Sequence, residues 1–188
     1  MLKKDLRKLY KNKRAELSNG QITEFSELIC TKTLELLQGL SYQHLNCFLS
    51  STSKKEVQTQ GIINALWKQS KTVSVPVSNY HSKTITPVKF LSQDKLVLDE
   101  YEIPFPASQT VIDSKNIDIV ICPLLCFDKN GFRTGYGKGM YDRFIQNCKN
   151  DVLLIGLSFF DSFEEIDDLN EFDQKLDYVI TPQKTLKF

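Results

Sequence analysis

The spacing of apolar and polar positions predicts four helices. Residues 2–17 and 22–37 repeat apolar side chains at the spacing of an amphipathic helix, and a break at Ser18-Asn19-Gly20 separates them. Shorter segments with helical spacing lie at 59–69 and 140–148. The chain is therefore expected to begin with a helical hairpin.

Short apolar runs predict the strands. The runs at 117–125 and 152–159 are almost continuously apolar, as in strands that are covered on both faces. Residues 92–116, interrupted by Pro104 and Pro106, are expected to be irregular. Further strands are predicted at 44–50, 72–77, 84–91 and 177–181. Because strands alternate with helices, we expect an α/β fold of three layers, with a mostly parallel sheet and helices on both faces.

Length and charge restrict the possible functions. A chain of 188 residues favours one domain. Its net charge of +1 creates no overall field that would attract nucleic acid or an acidic membrane, and no apolar run approaches membrane-spanning length. Its five cysteines include no CxxC pair, and it has two histidines. We therefore expect reduced thiols in a cytoplasmic protein, without a zinc site or a histidine-based metal centre.

The segment RTGYGKGMYDRF, residues 133–144, is the main chemical signal. Gly135, Gly137 and Gly139 surround Lys138 between a buried strand and a helix. Glycine allows close approach of the backbone to a ligand, and a helix start offers free N–H groups and a partial positive charge. The spacing matches neither a P-loop nor a dinucleotide fingerprint. It indicates either a phosphate site or a tight connection with an exposed lysine.

Two charged residues beside this loop favour the phosphate site. Arg133 precedes the glycines, and Asp142 lies just inside the following helix. Asp142 could complement the helix dipole, an effect of up to about 1 kcal/mol. A carboxylate beside a phosphate cradle is also what a nucleotide-bound Mg²⁺ requires.

The first helix is strongly basic, which usually indicates a solvated face. At 3.6 residues per turn, however, Lys3, Arg7 and Arg14 fall within an arc of about 40°. The apolar arc beside them consists of Leu2, Leu6, Leu9 and Leu17. We therefore expect these three cations to point into a cleft. The lysines expected to face solvent are Lys4, Lys8 and Lys11.

These features resemble the 5-formyltetrahydrofolate cyclo-ligase family, also called methenyltetrahydrofolate synthetases. The specific match is FDKNGFRTGYGKGMYDRF at 127–144, which is similar to the family's GxGKGxYD loop and the aspartate-glycine-arginine region before it. Weaker matches follow the family order from end to end. They are Lys3 to Arg7 with Arg14, FLS at 48–50, EVQT at 56–59, and Asp173 before the last predicted strand.

The resemblance implies a single three-layer α/β domain over residues 1–188, related to folds that bind phosphorylated sugars. It implies conversion of 5-formyltetrahydrofolate to 5,10-methenyltetrahydrofolate through a phosphorylated formyl group, with release of ADP and phosphate. ATP and Mg²⁺ would be required. The expected partner is a reduced folate, with no nucleic acid or membrane, and the expected state is a monomer.

The resemblance also assigns roles to residues at matching positions. The catalytic residues would be Arg133, Lys138 and Tyr141. The residues around ATP would be Lys3, Lys4, Asp5, Leu6, Arg7 and Arg14 of the first helix, with Arg133, Thr134, Gly135, Tyr136, Gly137, Lys138, Gly139, Met140 and Tyr141 of the loop.

Further matches concern folate and metal. Leu49 would pack against the pterin, and Glu56 would accept from its N–H groups. The loop residues bordering folate would be Tyr136, Gly137, Lys138, Gly139 and Met140. Asp142 and Asp173 would hold Mg²⁺. Without the resemblance, Leu49 is a core residue, and Glu56 and Asp173 are solvated carboxylates.

Three alternatives remain at this point. A family member with a different substrate would keep the ATP loop but differ around folate, where Met140 replaces a more usual aromatic residue and the 51–55 segment is longer than usual. A non-catalytic folate-binding protein would not need Arg133, Lys138 and Asp142. A sugar-phosphate isomerase or sensor rests on analogy of fold alone.

Overall fold

The computed structural model describes residues 1–163 and 165–188. The α-helices are α1 (Lys3–Glu16), α2 (Asn19–Gln38), α3 (Gln60–Lys68) and α4 (Met140–Gln146). The strands are β1 (His44–Cys47), β2 (Thr72–Asn79), β3 (Thr84–Lys89), β4 (Leu96–Leu98), β5 (Pro104–Pro106), β6 (Ile119–Pro123), β7 (Cys126–Phe127), β8 (Arg133–Thr134), β9 (Leu153–Leu157), β10 (Tyr178–Ile180) and β11 (Thr185–Lys187). Within the described ranges, no helix combines the length and the apolar character needed to cross a membrane.

The main sheet has the strand order β11-β10-β9-β6-β1-β2-β3. Neighbouring strands from β10 to β2 pair in parallel, whereas β11 and β3 pair antiparallel at the two edges. The predicted mostly parallel sheet is therefore confirmed. The carboxyl ends of the parallel strands lie together, and ligand sites of open α/β sheets form at such ends.

Alternate residues of the central strand β6 face different cores. Ile119 and Ile121 pack into a core that includes residues of α2 and α3. Val120 and Cys122 pack into a second core that includes residues of α4. A strand covered on both faces needs apolar residues at every position, which explains the continuous apolar run in the sequence. The prediction of helices on both faces is confirmed.

The start of α2 differs from the prediction. Ser18 caps the helix, since its hydroxyl accepts from the Gln21 N–H at 3.2 Å, and the Gln21 side chain accepts from the Ser18 N–H at 2.9 Å. This reciprocal pair satisfies two N–H groups that the helix start would otherwise leave free. Asn19 and Gly20 consequently belong to the first helical turn, and the predicted break was wrong at these two positions.

Several short strands were not predicted from the sequence. Residues 92–116 contain the β4–β5 hairpin and a 3₁₀ turn at Ser114–Asn116, so they are less irregular than expected. The β7–β8 pair and β11 were also missed. In addition, β2 continues past Pro76, which lies opposite Pro87 in the antiparallel pair with β3. Strands of two or three residues are too short to show an alternating pattern.

The cysteines are free thiols, as predicted, and four of the five are buried. Burial raises the pKa of Cys47 and Cys126 to about 12. Burial likewise raises the pKa of Cys122 and Cys148 to about 11. These four thiols are therefore protonated at neutral pH.

We expect Gly156→Ala to destabilise the fold. A Cβ atom at this position of β9 would lie 2.6 Å from Leu124 Cδ2 and 2.7 Å from Leu176 Cδ1. Overpacking of this kind costs about 1–3 kcal/mol, which urea unfolding would measure. Gly20→Ala is the control, because a Cβ there would lie 3.8 Å from its nearest neighbour. A Gly156→Ala protein as stable as the parent would contradict this account.

Candidate active site

A cavity of about 1000 Å³ opens where β1, β2 and β6 end. The glycine loop, the start of α4 and one face of α1 form part of its wall. Residues after β1, residues of β2 and β3, the β4–β5 connection and the late acidic segment also contribute. The predicted site residues that line it are Lys3, Arg7, Leu49, Glu56, Arg133, Gly135, Tyr136, Gly137, Lys138, Gly139, Met140, Tyr141, Asp142 and Asp173. The fold therefore brings together four groups that are distant in the sequence: residues of α1, residues after β1, the glycine loop with the start of α4, and Asp173.

Five residues predicted for ATP binding are not among the residues lining the cavity in the described part of the chain. Lys4 and Asp5 are exposed. Leu6, Arg14 and Thr134 are buried, and Leu6 belongs to a small core between α1 and β7. Arg14 is connected to the cavity through its hydrogen bond to Tyr136, which lines it. For the other four, side-chain contact with ATP stays a prediction.

The buried face of α1 differs from the predicted apolar arc. Lys3, Leu6, Tyr10 and Arg14 are its buried residues. Leu2 and Leu9, which the prediction placed inside, are 50% and 38% exposed. The prediction of the apolar arc was wrong at these two positions. The buried face of the helix instead includes Lys3 and Arg14, two cations whose burial is allowed by polar partners.

The partners of these cations come from distant parts of the chain. The Lys3 ammonium bonds to the Asp173 carboxylate, and the Lys3 backbone N–H donates to Asp168 at 2.7 Å. Arg14 donates to the Leu124 carbonyl and to the Tyr136 hydroxyl, the latter at 2.9 Å. A buried charge is tolerated when it is paired in this way.

Lys11 was expected to face solvent; it is exposed, and it also lines the cavity. Its Nζ lies 5.9 Å from the centre of the Tyr136 ring. Lys3, Arg7 and Lys11 are spaced four residues apart, so they follow one face of α1. The prediction that Lys11 is solvent-exposed is confirmed, although this residue also borders the cavity. The prediction that Lys3 and Arg7 face a cleft is confirmed as well, whereas Arg14 is buried and does not line the cavity.

The glycine loop fits closely against α1. Gly137 has a φ of +94°, and a Cβ on it would lie 2.9 Å from the Arg7 guanidinium carbon. Arg7 Nε donates to the Gly135 carbonyl at 3.1 Å. Gly139 has a φ of +61° and forms the N-cap of α4. The positive φ thus favours glycine at both 137 and 139, and a side chain at 137 would also displace the Arg7 guanidinium.

Both carboxylates predicted to hold metal are paired with cations. Asp142 forms an ion pair with Arg133 at 2.7 Å, and Arg133 also donates to the Gln174 carbonyl at 2.9 Å. Asp173 pairs with Lys3. Among residues 1–163 and 165–188, no three His, Cys, Asp or Glu side chains form a cluster able to hold a metal ion. In this structure, each of the two carboxylates is therefore held in place by an ion pair with a side chain of the protein.

A hydrogen-bonded chain connects α1 to the segment after β1. Arg14 donates to the Tyr136 hydroxyl, and that hydroxyl donates to Glu56 Oε1 at 2.6 Å. Glu56 Oε2 accepts from the Ser51 N–H at 2.9 Å. Burial, followed by the nearby Glu56 carboxylate, raises the pKa of Tyr136, so this tyrosine remains a neutral donor. Glu56 is buried in the cavity wall and is therefore not the solvated carboxylate that the sequence suggests without the resemblance.

Two cavity residues had no signal in the sequence. The Lys138 ammonium lies 4.6 Å from the centre of the Tyr80 ring and 4.4 Å from the centre of the Tyr101 ring. Both are cation–π distances. Tyr80 follows β2 and Tyr101 lies between β4 and β5, in segments without a motif. Only the approach of the β4–β5 hairpin to β2 brings them to the loop.

Comparison with known proteins identifies the class to which this fold and site belong. Residues 1–182 match the model of the 5-formyltetrahydrofolate cyclo-ligase family. The match spans nearly the whole chain, so the chain belongs to this family.

Individual relatives agree with the family match. The chain is 27% identical over 180 residues to the 5-formyltetrahydrofolate cyclo-ligase of Escherichia coli strain K12, covering 94% of this chain and 98% of that protein. It is 27% identical over 189 residues to the mouse (Mus musculus) 5-formyltetrahydrofolate cyclo-ligase, covering 95% and 92%.

Solved structures show the same fold. The NMR structure of 5,10-methenyltetrahydrofolate synthetase from Aquifex aeolicus superposes with a TM-score of 0.81 at 25% identity, covering 100% of this chain and 93% of that one. The synthetase from Mycoplasma pneumoniae superposes with a TM-score of 0.78 at 22% identity, covering 97% and 99%, and supports the fold alone.

We expect Tyr141→Phe to preserve stability. The Tyr141 hydroxyl is buried, and the described residues offer it no hydrogen-bond partner; burial raises its pKa well above the usual value. Removing an unpaired buried hydroxyl should leave the free energy of unfolding within about 1 kcal/mol of the parent or increase it.

Urea unfolding would test this expectation. The matched control is Tyr80→Phe, which removes a hydroxyl that donates to Asp99 at 2.7 Å and should lose about 1 kcal/mol. A loss larger than about 2 kcal/mol in Tyr141→Phe would show that the hydroxyl has a partner in the folded protein.

Proposed function

We propose that this chain converts 5-formyltetrahydrofolate to 5,10-methenyltetrahydrofolate with consumption of ATP and release of ADP and phosphate. The family membership supports the class of reaction. The observation that carries the proposal is the single cavity in which cations of α1 and the glycine loop meet Leu49 and Glu56. Such a cavity can hold a polyphosphate beside a ligand that has both an apolar ring and N–H donors.

The reaction needs activation of a poor leaving group. The formyl group on N5 of the folate is an amide, so its oxygen does not leave readily. Attack of this oxygen on the γ-phosphorus of ATP releases ADP and gives a phosphorylated formyl group. N10 then attacks the formyl carbon and loses its proton, the C–O bond breaks, and phosphate departs as the ring closes. The protein's contribution to such a transfer is mainly positioning and charge stabilisation.

The cations around the cavity fit this task. Arg133 is held by Asp142 and the Gln174 carbonyl, which fixes the direction of its guanidinium. Arg7 is held against the loop by the Gly135 carbonyl. Lys138 is exposed on the loop, and its flexible stem lets it follow a phosphoryl group in transfer. We assign Arg7, Arg133 and Lys138 to the phosphates, where they stabilise developing negative charge.

The carboxylates fit a magnesium ion that accompanies the phosphates. Mg²⁺ prefers oxygen ligands and commonly uses one or two carboxylates together with substrate phosphates; when bound, it would neutralise phosphate charge. Asp142 and Asp173 each face a cation that phosphates would attract, namely Arg133 and Lys3. Phosphate binding would therefore free carboxylate oxygens beside the phosphates. We assign Asp142 and, second to it, Asp173 to this role.

Leu49 and Glu56 fit the pterin. Leu49 lies buried in the cavity wall and offers an apolar contact to a ring. The Glu56 carboxylate accepts the Tyr136 hydroxyl, which occupies the position where a pterin N–H could donate. On this assignment, the pterin would compete with Tyr136 for Glu56 when it binds.

We expect the purified protein to form methenyltetrahydrofolate, followed by its near-ultraviolet absorbance, from 5-formyltetrahydrofolate, ATP and Mg²⁺. Lys138→Ala should lower kcat/KM by at least about 100-fold, because a cation that stabilises the transferring group is lost. Its unfolding should match that of the parent, since Lys138 is exposed.

Lys187→Ala is the control for Lys138→Ala. Lys187 is an exposed lysine over the Tyr178 ring at 5.8 Å, in the edge strand β11. It should retain full activity. Absence of any ATP-dependent signal from the parent protein would refute the proposed function, and full activity of Lys138→Ala would refute the role of that lysine.

We expect Asp142→Asn to raise the Mg²⁺ concentration needed for half-maximal rate by about 10-fold or more, because a charged oxygen ligand is lost. The measurement is a Mg²⁺ titration at saturating ATP and folate. Asp161→Asn, in which an exposed carboxylate 3.2 Å from Lys184 is neutralised, should leave the titration unchanged. An unchanged Mg²⁺ dependence in Asp142→Asn would remove Asp142 from the metal site.

A further inference from the structure

Tyr80 and Tyr101 form an aromatic pair in the wall of the cavity. Their ring centres are 4.3 Å apart, with an angle of 62° between the ring planes. Asp99 fixes the pair, since it accepts the Tyr80 hydroxyl at 2.7 Å and the Tyr101 N–H at 2.8 Å. The same carboxylate accepts the Ile103 N–H at 2.9 Å. The rings are therefore held in place before any ligand arrives.

Lys138 occupies the faces of both rings in this structure. Its ammonium lies within 4.6 Å of each ring centre. The face of a tyrosine ring attracts a cation or the edge of another aromatic ring. If Lys138 moves to a phosphate, as the proposed function requires, both faces become free inside the cavity. The pair is then available to an aromatic ring of a ligand.

The position of the pair in the sheet indicates which ligand ring it would bind. Tyr80 follows β2, and β2 is the sheet neighbour of β1, which leads directly to Leu49. The cations assigned to the phosphates are carried by α1, β8 and the glycine loop, and among them Lys138 reaches the aromatic pair. Apart from Ser78, the other residues of β2, β3 and the β4–β5 connection that line the cavity are apolar, namely Pro76, Ile85 and Ile103. The aromatic pair thus belongs to the folate side of the cavity.

We propose that Tyr80 and Tyr101 form a subsite for the aromatic ring of the substrate's p-aminobenzoyl group. Lys138 covers this subsite until phosphates draw its ammonium away. The proposal rests on the proposed function and adds two specificity-determining residues to it. Binding of ATP would thereby expose the surface on which the folate ring packs.

The direct test is the kinetics of Tyr101→Leu. Loss of the ring should raise KM for 5-formyltetrahydrofolate about 3- to 10-fold and leave KM for ATP within about twofold of the parent. Tyr101→Phe keeps the ring and should behave like the parent. Tyr42→Leu is the matched control, because Tyr42 also lies under a lysine, Lys71 at 4.5 Å, but precedes β1 at the opposite end of the sheet.

Binding of a substrate fragment would test the subsite independently of the proposed catalytic activity. In the presence of a non-hydrolysable ATP analogue, p-aminobenzoylglutamate should bind the parent protein, and Tyr101→Leu should weaken its Kd about 3- to 10-fold. This binding needs no turnover, so calorimetry can measure it even if the parent protein shows no cyclo-ligase activity.

Two results would overturn the subsite. One is an unchanged folate KM together with an unchanged fragment Kd in both Tyr80→Leu and Tyr101→Leu. The other is an increase confined to KM for ATP, which would assign the rings to the adenine base. Tyr80→Leu is the second variant because its ring lies on a different segment, so a folding defect in one variant leaves the other informative.

Discussion

The burial of two cations of α1 holds the candidate active site together. Lys3 reaches Asp173, 170 positions away, and Arg14 reaches the Leu124 carbonyl, 110 positions away. A buried cation is stable only while its partners remain in place. The first helix, the end of β6 and the late acidic segment are therefore fixed relative to one another by charge. The polar wall of the cavity depends on this arrangement.

The anionic groups of the cavity are satisfied from within the protein. Asp142 is paired with Arg133, Asp173 with Lys3, and Glu56 with the Tyr136 hydroxyl. Under the proposed function, ligands would therefore bind by exchanging hydrogen-bond and charge partners. A ligand that lacks one of the required groups would not replace the internal partner, which would be a source of selectivity.

The sequence allowed prediction of the sheet, because buried parallel strands need continuous apolar runs, as at 117–125. It allowed prediction of the glycine loop, because a positive φ favours glycine at 137, where the backbone also lies against Arg7. It did not allow prediction of the buried face of α1, since burial of Lys3 depends on a carboxylate contributed from the other end of the chain. Tyr80 and Tyr101 were missed for the same reason: their association is created by tertiary packing alone.

The cysteines have a practical consequence for study of this protein. Cys47, Cys122, Cys126 and Cys148 lie within the sheet and helix cores, and their raised pKa values keep them in the thiol form that reacts slowly. A thiol-alkylating reagent would therefore modify these four side chains only when the cores open. The rate of alkylation would report opening of the native state under conditions where circular dichroism detects no unfolding.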